Sequence, residues 1–446
     1  MIRLITVCDG TGGTSVGTHP TDPAALDADL ADLAFWARPP AERMAAFARL
    51  REQDRPVFFA EQRVPLVRSG AGFYALVRHG DVTEASRNPR VFSSEPAASS
   101  PEPPPWVPLV LGRPMVNMDD PGHARLRRIV ARAFTPRRLA LLDELIRLTA
   151  ARIVDEMAAQ GPGDFVTQVA RQLPVQMTGA MMGIPGRYRG LIAARVAAVT
   201  QYSGVRGDMR RAGTLRLLAG NLRATAAFRR LIVRLGRERR REPGDDLISA
   251  LVTADAGGER LSIRELGSFF DLLLVASTET TSNAIAHGLC LFTGFPAQRE
   301  LLLSDFEARI GGAVEEIVRY ASPIIQFRRT LTCDYQMRGH AFAKGDKVVM
   351  FYPSANHDDT VFGHPAEFDI TRCPNPHVGF GGGGPHHCIG AHLARREITA
   401  IYRELFTRFP GIRAVGEPEF LLSSFDNGIT HLGFGLASRK AGHRPG

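Results

Sequence analysis

The longest apolar pattern in the chain starts near Ser262 and runs through FFDLLLVASTETTSNAIAHGLCLF, which reads as one long helix. Ser262 and Glu265, three apart, form a capping box at its start: each side chain accepts a hydrogen bond from the other residue's amide. The apolar run is interrupted by Ser277, Thr278, Glu279, Thr280 and Thr281, a polar knot in mid-helix. A Thr280 hydroxyl donating to the Ala276 carbonyl would bend or open the helix ladder there. A second helix is predicted in NMDDPGHARLRRIVARAF, with Asp120 as cap and Pro121 at the first turn, so that His123 and Arg127 are i,i+4 neighbours. In AVEEIVRYASP, Glu316 and Arg319 lie three apart and share a helix face. Another helical pattern follows Cys388 directly. Strand-like runs with β-branched and aromatic content occur in PVFFAEQ and GFYALVRH, near residues 56 to 79, and in KVVMFY at 347 to 352. Amphipathic helical segments fill the spaces between, so the expected fold is mainly α with small β-sheets, in the α+β class.

Length alone would suggest about three domains, but no linker-like stretch separates independent patterns. The expectation is a loose Gly-, Thr-, Asp- and Pro-rich tail over residues 1 to 25 and a single domain over 26 to 446. SSEPAASSPEPPPWVPLV, at 93 to 110, is an irregular proline-rich loop of the length often found in functional lids. A hydrophobic fraction of 44% with 23% charged residues suits a globular protein with a substantial core. No apolar run reaches the roughly 20 residues needed to span a bilayer, and the N-terminal apolar region is too short for a secretory signal, so no membrane anchor is expected. Five cysteines without framework spacing fit a reducing cytoplasm. The net charge of +9 raises nucleic-acid binding as a possibility, but no recognised nucleic-acid motif accompanies it.

The most informative chemistry lies in GFGGGGPHHCIGAHLAR, residues 379 to 395. Cys388 follows four consecutive glycines and precedes a helix, which would surround its sulfur with backbone N–H groups and favour a thiolate. Glycines at 381 to 384 carry no Cβ and would let the backbone lie flat against a broad group. Haem iron with an axial thiolate meets both conditions, since such a ligand pushes electron density onto iron and favours O–O cleavage. Zinc held by Cys373, His377, His386, His387 and Cys388 is the rival on composition, although there is no C-x-x-C and adjacent His387 and Cys388 would crowd one metal. A phosphate-cradling loop lacks both its known spacings.

These residues resemble the cysteine signature of the cytochrome P-450 family, with Gly384 four before the ligand, a basic His386 two before and Gly390 two after. The family's aromatic is Phe380, one place earlier than usual, a form shared with some actinobacterial steroid and branched-lipid hydroxylases. Three further motifs follow the family's order, and the resemblance covers the chain from about residue 35 to its end. Taken alone, Glu316 and Arg319 would be a solvated surface pair. The resemblance implies instead a buried pair joined by Arg372 of the Phe368–Asp369–Arg372 segment. Ala276, Ser277, Thr278, Glu279, Thr280 and Thr281 match the oxygen-side helix motif, with Ser277 where the family has glycine. That hydroxymethyl would narrow the groove or add a donor there. His123, Arg127, Arg329 and His386 match positions that hold the haem propionates, and arginine's planar fork suits a carboxylate.

What the resemblance implies is a monooxygenase with haem b, Cys388 as iron ligand, and Phe380, Gly390 and Ala276 against the macrocycle. Thr280 would donate a hydrogen bond on the oxygen side and Glu279 would relay protons. Electrons would come from NAD(P)H through a ferredoxin reductase and a ferredoxin, steered to a basic face formed by Arg128, Arg132, Arg137, Arg138, Arg395 and Arg396. The pocket would be lined by Val275, Ala276, Ile324, Ile325 and part of 423 to 430, apolar enough for a lipid, steroid, terpenoid or macrolide. Steroid or branched-lipid hydroxylation is the favoured reading. Secondary-metabolite tailoring, a peroxide-using haem enzyme and a non-catalytic haem or zinc protein are the alternatives.

Overall fold

The computed structural model describes residues 27–61, 71–99, 102, 112–131, 136–203, 214–253 and 261–436. The expected tail over 1 to 25 and most of the proline-rich loop lie outside the described residues. The helices that build and flank the site are α1 (Pro40–Glu52), α2 (His79–Arg87), α3 (Gly122–Ala131), α4 (Pro136–Gln160), α5 (Gln172–Met182), α6 (Arg189–Ser203), α7 (Thr214–Arg241), α8 (Leu247–Thr253), α9 (Ile263–Gly294), α10 (Phe306–Ala321) and α11 (Ala391–Arg408). The largest sheet has five strands, β1 (Val57–Ala60), β2 (Gly72–Leu76), β3 (Phe92–Ser93), β4 (Gln326–Leu331) and β5 (Lys347–Phe351), in the order β1-β2-β5-β4-β3. Only the β2–β5 pairing is parallel, with Tyr74 opposite Val348; the others are antiparallel. The remaining strands form two-stranded ribbons.

Helix α9 forms as its sequence predicts, and both capping-box bonds are present: the Glu265 amide donates to Ser262 Oγ at 3.2 Å and the Ser262 amide to Glu265 Oε2 at 2.8 Å. The polar knot does not interrupt the helix. Ser277, Thr278, Thr280 and Ser282 each donate to the carbonyl four residues back, at 2.6 to 2.7 Å, so back-bonding absorbs the hydroxyls without opening the ladder. The main core packs around this helix: Phe270, Ile285 and Leu289 of α9 meet Ile153 of α4, Leu173 of α5, Ile317 of α10 and Tyr402 of α11. Each such side chain removed from water contributes about 1.5–3 kcal/mol. Gly288 allows the close approach of α11, because a Cβ there would stand 2.2 Å from the Tyr402 hydroxyl, which donates to the Ile285 carbonyl.

Strands β1, β2 and β5 fall where their composition places them. The sequence reading passed over β3 and β4, and β4 carries Arg328 and Arg329, both buried. Among the described residues no helix is long and apolar enough to cross a membrane.

Candidate functional site

Cys388 lies two residues before Gly390, the N-cap of α11, and its own amide donates to the Phe380 carbonyl at 2.9 Å. The amides of Gly390 and Ala391 donate toward its sulfur, with Arg127 and Arg395 nearby. Cys388 is exposed as a residue, while desolvation of its sulfur pushes the thiol pKa up despite those four groups. The amides and the two guanidinium groups oppose that rise and favour the charged sulfur, as an iron ligand at this position requires.

Part of the glycine run packs closely on a neighbouring helix. Gly381, Gly383 and Gly384 have φ of +101°, +89° and +76°, in the left-handed region. A Cβ at Gly384 would stand 2.2 Å from the Ser86 carbonyl oxygen, and one at Gly382 2.6 Å from Ser86 Oγ. The loop is thus turned tightly against the C-terminal end of α2.

Behind the loop, Glu316 and Arg319 are fully buried and paired through both carboxylate oxygens, at 2.8 Å from Nε and 2.7 Å from Nη2. Arg372 donates to the same carboxylate at 3.2 Å, Asn375 at 3.0 Å and the Asp369 amide at 3.0 Å. Arg319 also donates to the carbonyls of Asn356, Pro365 and Glu367. Asn356, which the sequence reading missed, ties this network to the loop by accepting from the Val378 amide at 2.7 Å and donating to Ser322 Oγ. It has no local motif; its signal is only a polar residue just after an apolar strand.

On the other side of Cys388 four basic side chains converge. The His123 and His386 rings stand 4.1 Å apart, Arg127 donates to the His387 carbonyl at 2.6 Å, and Arg329 donates to the Arg328 carbonyl at 2.8 Å. Burial, with Arg329, His123 and Arg127 adding to it, holds His386 neutral with a pKa of about 3. Burial also lowers the pKa of His123 and of Arg329. His123 Nε2 is buried and has no hydrogen-bond partner, and its Nδ1 faces Asp120 at 3.6 Å. Ser94, also missed, meets His386 Nε2 at 3.0 Å. A cluster so rich in donors and so short of acceptors fits a ligand bearing carboxylates. Beside an exposed thiol, that donor set fits an iron macrocycle with acidic side chains.

Asp120 accepts from the Ala124 amide at 3.0 Å, and α3 begins at Gly122, one residue after Pro121. In α9, Ala276 is exposed, Thr280 half-buried and Glu279 buried. The Ser277 hydroxyl does not enter the groove. It donates to the Leu273 carbonyl and meets Thr178 of α5 at 2.7 Å, so it serves helix packing.

Other expectations are corrected. Ile325 is buried in the core beside Phe351 and Trp36, not in the pocket wall, whereas Val275 and Ile324 are half-buried. The basic face behind the cysteine is weaker than its sequence count: Arg395 is paired to Glu315 at 2.5 Å and Arg396 to Asp143 at 2.5 Å, while Arg128 is exposed. Arg132 and the side chains of Arg137 and Arg138 lie outside the described residues. His377 binds Glu315 and His386 faces His123, and no three metal-holding side chains gather among the described residues, so the donors proposed for zinc point apart.

Comparison with known proteins agrees with this geometry. The family profile for cytochrome P-450 matches residues 311–412. The chain is 42% identical over 419 residues, 93% of its length and 96% of the relative's, to the methyl-branched lipid omega-hydroxylase of Mycobacterium tuberculosis. It is 39% identical over 370 residues, covering 81% of this chain and 82% of the relative, to the steroid C26-monooxygenase of Mycolicibacterium smegmatis. A Mycobacterium marinum cytochrome P-450 solved in complex with pseudoionone superposes with a TM-score of 0.85 at 38% identity, over 95% of this chain and all of that one. Likeness at that level over nearly the whole of both chains places the protein in the cytochrome P-450 family of haem-thiolate monooxygenases.

Proposed function

We propose that this monooxygenase hydroxylates an extended, methyl-branched lipid, with Cys388 as the axial ligand. The observation that carries the substrate class is the 42% identity, over 93% of the chain, to a methyl-branched lipid omega-hydroxylase. Steroid C26-monooxygenases match at the lower identities of 38% and 39%, which makes steroids the second reading. Haem, when bound, supplies the iron at which dioxygen is activated for insertion of one oxygen atom into a C–H bond. Around it, the Asn356 and Glu316 network holds the cysteine loop in place. His123, Arg127, Arg329 and His386 take the two propionates, which supply the acceptor that His123 Nε2 lacks. Thr280, whose hydroxyl donates to the Ala276 carbonyl at 2.7 Å, would exchange that bond for one donated on the substrate side, and Glu279 one residue earlier would relay protons. Half-buried Val275 and Ile324 supply apolar wall. A ferredoxin fed from NAD(P)H delivers electrons singly on the side of Cys388, where Arg128 is exposed.

The test begins with the carbon monoxide spectrum of the reduced protein, wild type and Cys388→His. A strongly red-shifted Soret band in the wild type alone supports the ligand assignment. Spin-state titration then compares methyl-branched fatty acids with steroids, and a shift produced only by steroids would overturn the substrate class. Thr280→Ala is expected to keep haem and substrate binding while diverting electrons to hydrogen peroxide; unchanged coupling would remove Thr280 from its role.

A further inference from the structure

Helix α7 carries nine arginines against one glutamate, so it alone holds a net +8 of the chain's formal +9. Phe228, Leu231, Ile232 and Leu235 bury one face of the helix, which packs against α6, α8 and α9. Arg216, Arg223, Arg230, Arg237 and Arg241 are exposed on the other face, the first four at intervals of seven residues and so in one row. At 1.5 Å per residue those four span about 32 Å. None of these five makes an ion pair among the described residues, although Arg234 pairs with Glu238 and Arg239 with Asp246. An open groove of about 670 Å³ runs between Arg230, Arg234, Arg237 and Arg241.

We infer that α7 is a docking face for an anionic lipid surface. Stable protein interfaces are centred on desolvated apolar or aromatic anchors, and among the described residues α7 exposes no large hydrophobic side chain. A charged bilayer needs no such anchor; it requires an extended row of one sign, which this helix presents. Arginine forks also match lipid phosphates bidentately. Since α7 packs on α9, a surface held at α7 stands beside the helix that carries Thr280. The choice of lipid over an acidic protein rests partly on the lipid-hydroxylase reading; the binding itself does not.

The experiment is vesicle co-sedimentation of the full-length haem-loaded protein, with phosphatidylglycerol–phosphatidylcholine mixtures and with phosphatidylcholine alone, at low and high salt. Expected are binding to the anionic vesicles only and its loss at high salt, where screening shortens the reach of each charge. Each arginine that reaches the surface is worth about fivefold in partition. The double variant Arg230→Gln, Arg237→Gln should therefore bind about 25-fold more weakly, while Arg413→Gln, an exposed change on another element, leaves binding unchanged. Haem content and the carbon monoxide spectrum check the fold of each variant. Equal binding to neutral vesicles, no binding to anionic ones, or undiminished binding by the double variant would overturn the inference. So would a double variant that keeps vesicle binding and loses reduction by ferredoxin, which would make α7 a protein-docking face. No substrate is needed, so this result and the failure of the hydroxylase reading are distinguishable.

Discussion

Removing the Glu316 side chain tests whether the cysteine loop is held by a buried ionic network. The carboxylate is wholly buried and accepts from Arg319, Arg372, Asn375 and the Asp369 amide. In Glu316→Ala, Arg319 keeps its three carbonyl acceptors, so most of its donors stay satisfied, but its charge loses its carboxylate partner. Breaking one side of a buried pair costs about 3–5 kcal/mol. Because Arg372 still reaches the carbonyls of Gly363, His364 and Glu367 and stays on the protein edge, the middle of that range, about 4 kcal/mol, is the expected loss. Against a typical total of about 5–15 kcal/mol, this leaves a folded but fragile protein. Urea unfolding measures the loss, and the ratio of haem to protein measures its effect on the loop, which should bind haem poorly. Glu316→Gln restores the volume but places an amide NH₂ against guanidinium N–H groups, so it should show most of the same loss. A change under about 1 kcal/mol in Glu316→Ala, with full haem content, would mean that the pair behaves like a solvated surface contact and would refute the reasoning.

Ser277→Gly removes the bonds to Thr178 and to the Leu273 carbonyl and puts glycine into a helix, so it should cost about 1–2 kcal/mol. Peroxide release should be unchanged, since the hydroxyl faces α5; a clear change in coupling would show that it reaches the groove. Burial would raise Glu315, but hydrogen bonds from Arg395 and His377 outweigh it and hold the carboxyl at about 2. A folded pKa below the unfolded value of about 4.5 gives stability that is complete above pH 4.5 and lost as pH falls toward 2. Acid titration of unfolding should therefore be less steep over that window in Glu315→Gln than in the wild type. Burial alone pushes Glu397 of α11 up to about 8. Here the sign reverses: the protonated group costs little below pH 4.5, and stability falls as pH rises through 8. Glu397→Gln should be more stable than the wild type at pH 9 and nearly equal to it at pH 5, as read by thermal unfolding.

What could be read from sequence was what depends on neighbours in sequence. The Ser262 cap, the Thr280 back-bond and the shared face of Glu316 and Arg319 are all set within a few residues of themselves. Strand β4 was missed because three of its buried positions, on both faces, are Gln326, Arg328 and Arg329, whose burial depends on partners far along the chain. The direction of the Ser277 hydroxyl depends on Thr178 of another helix, and the loss of Arg395 from the docking face depends on Glu315, 80 residues away. Net charge gave the total and not its address, since nine arginines gather on α7.

The five-stranded sheet also sets a timetable for synthesis. Its first strands, β1 and β2, leave the ribosome early, but β2 pairs with β5, and the β3 edge is fastened to residues such as Thr332, whose hydroxyl donates to the Arg90 carbonyl across 242 positions. At about 5–20 residues per second, that separation is a wait of roughly 10–50 s. During it Phe59, Phe73 and their neighbours have no sheet to join, and the nascent N-terminal segment depends on chaperones or on slow long-range closure, the step that topology makes rate-limiting.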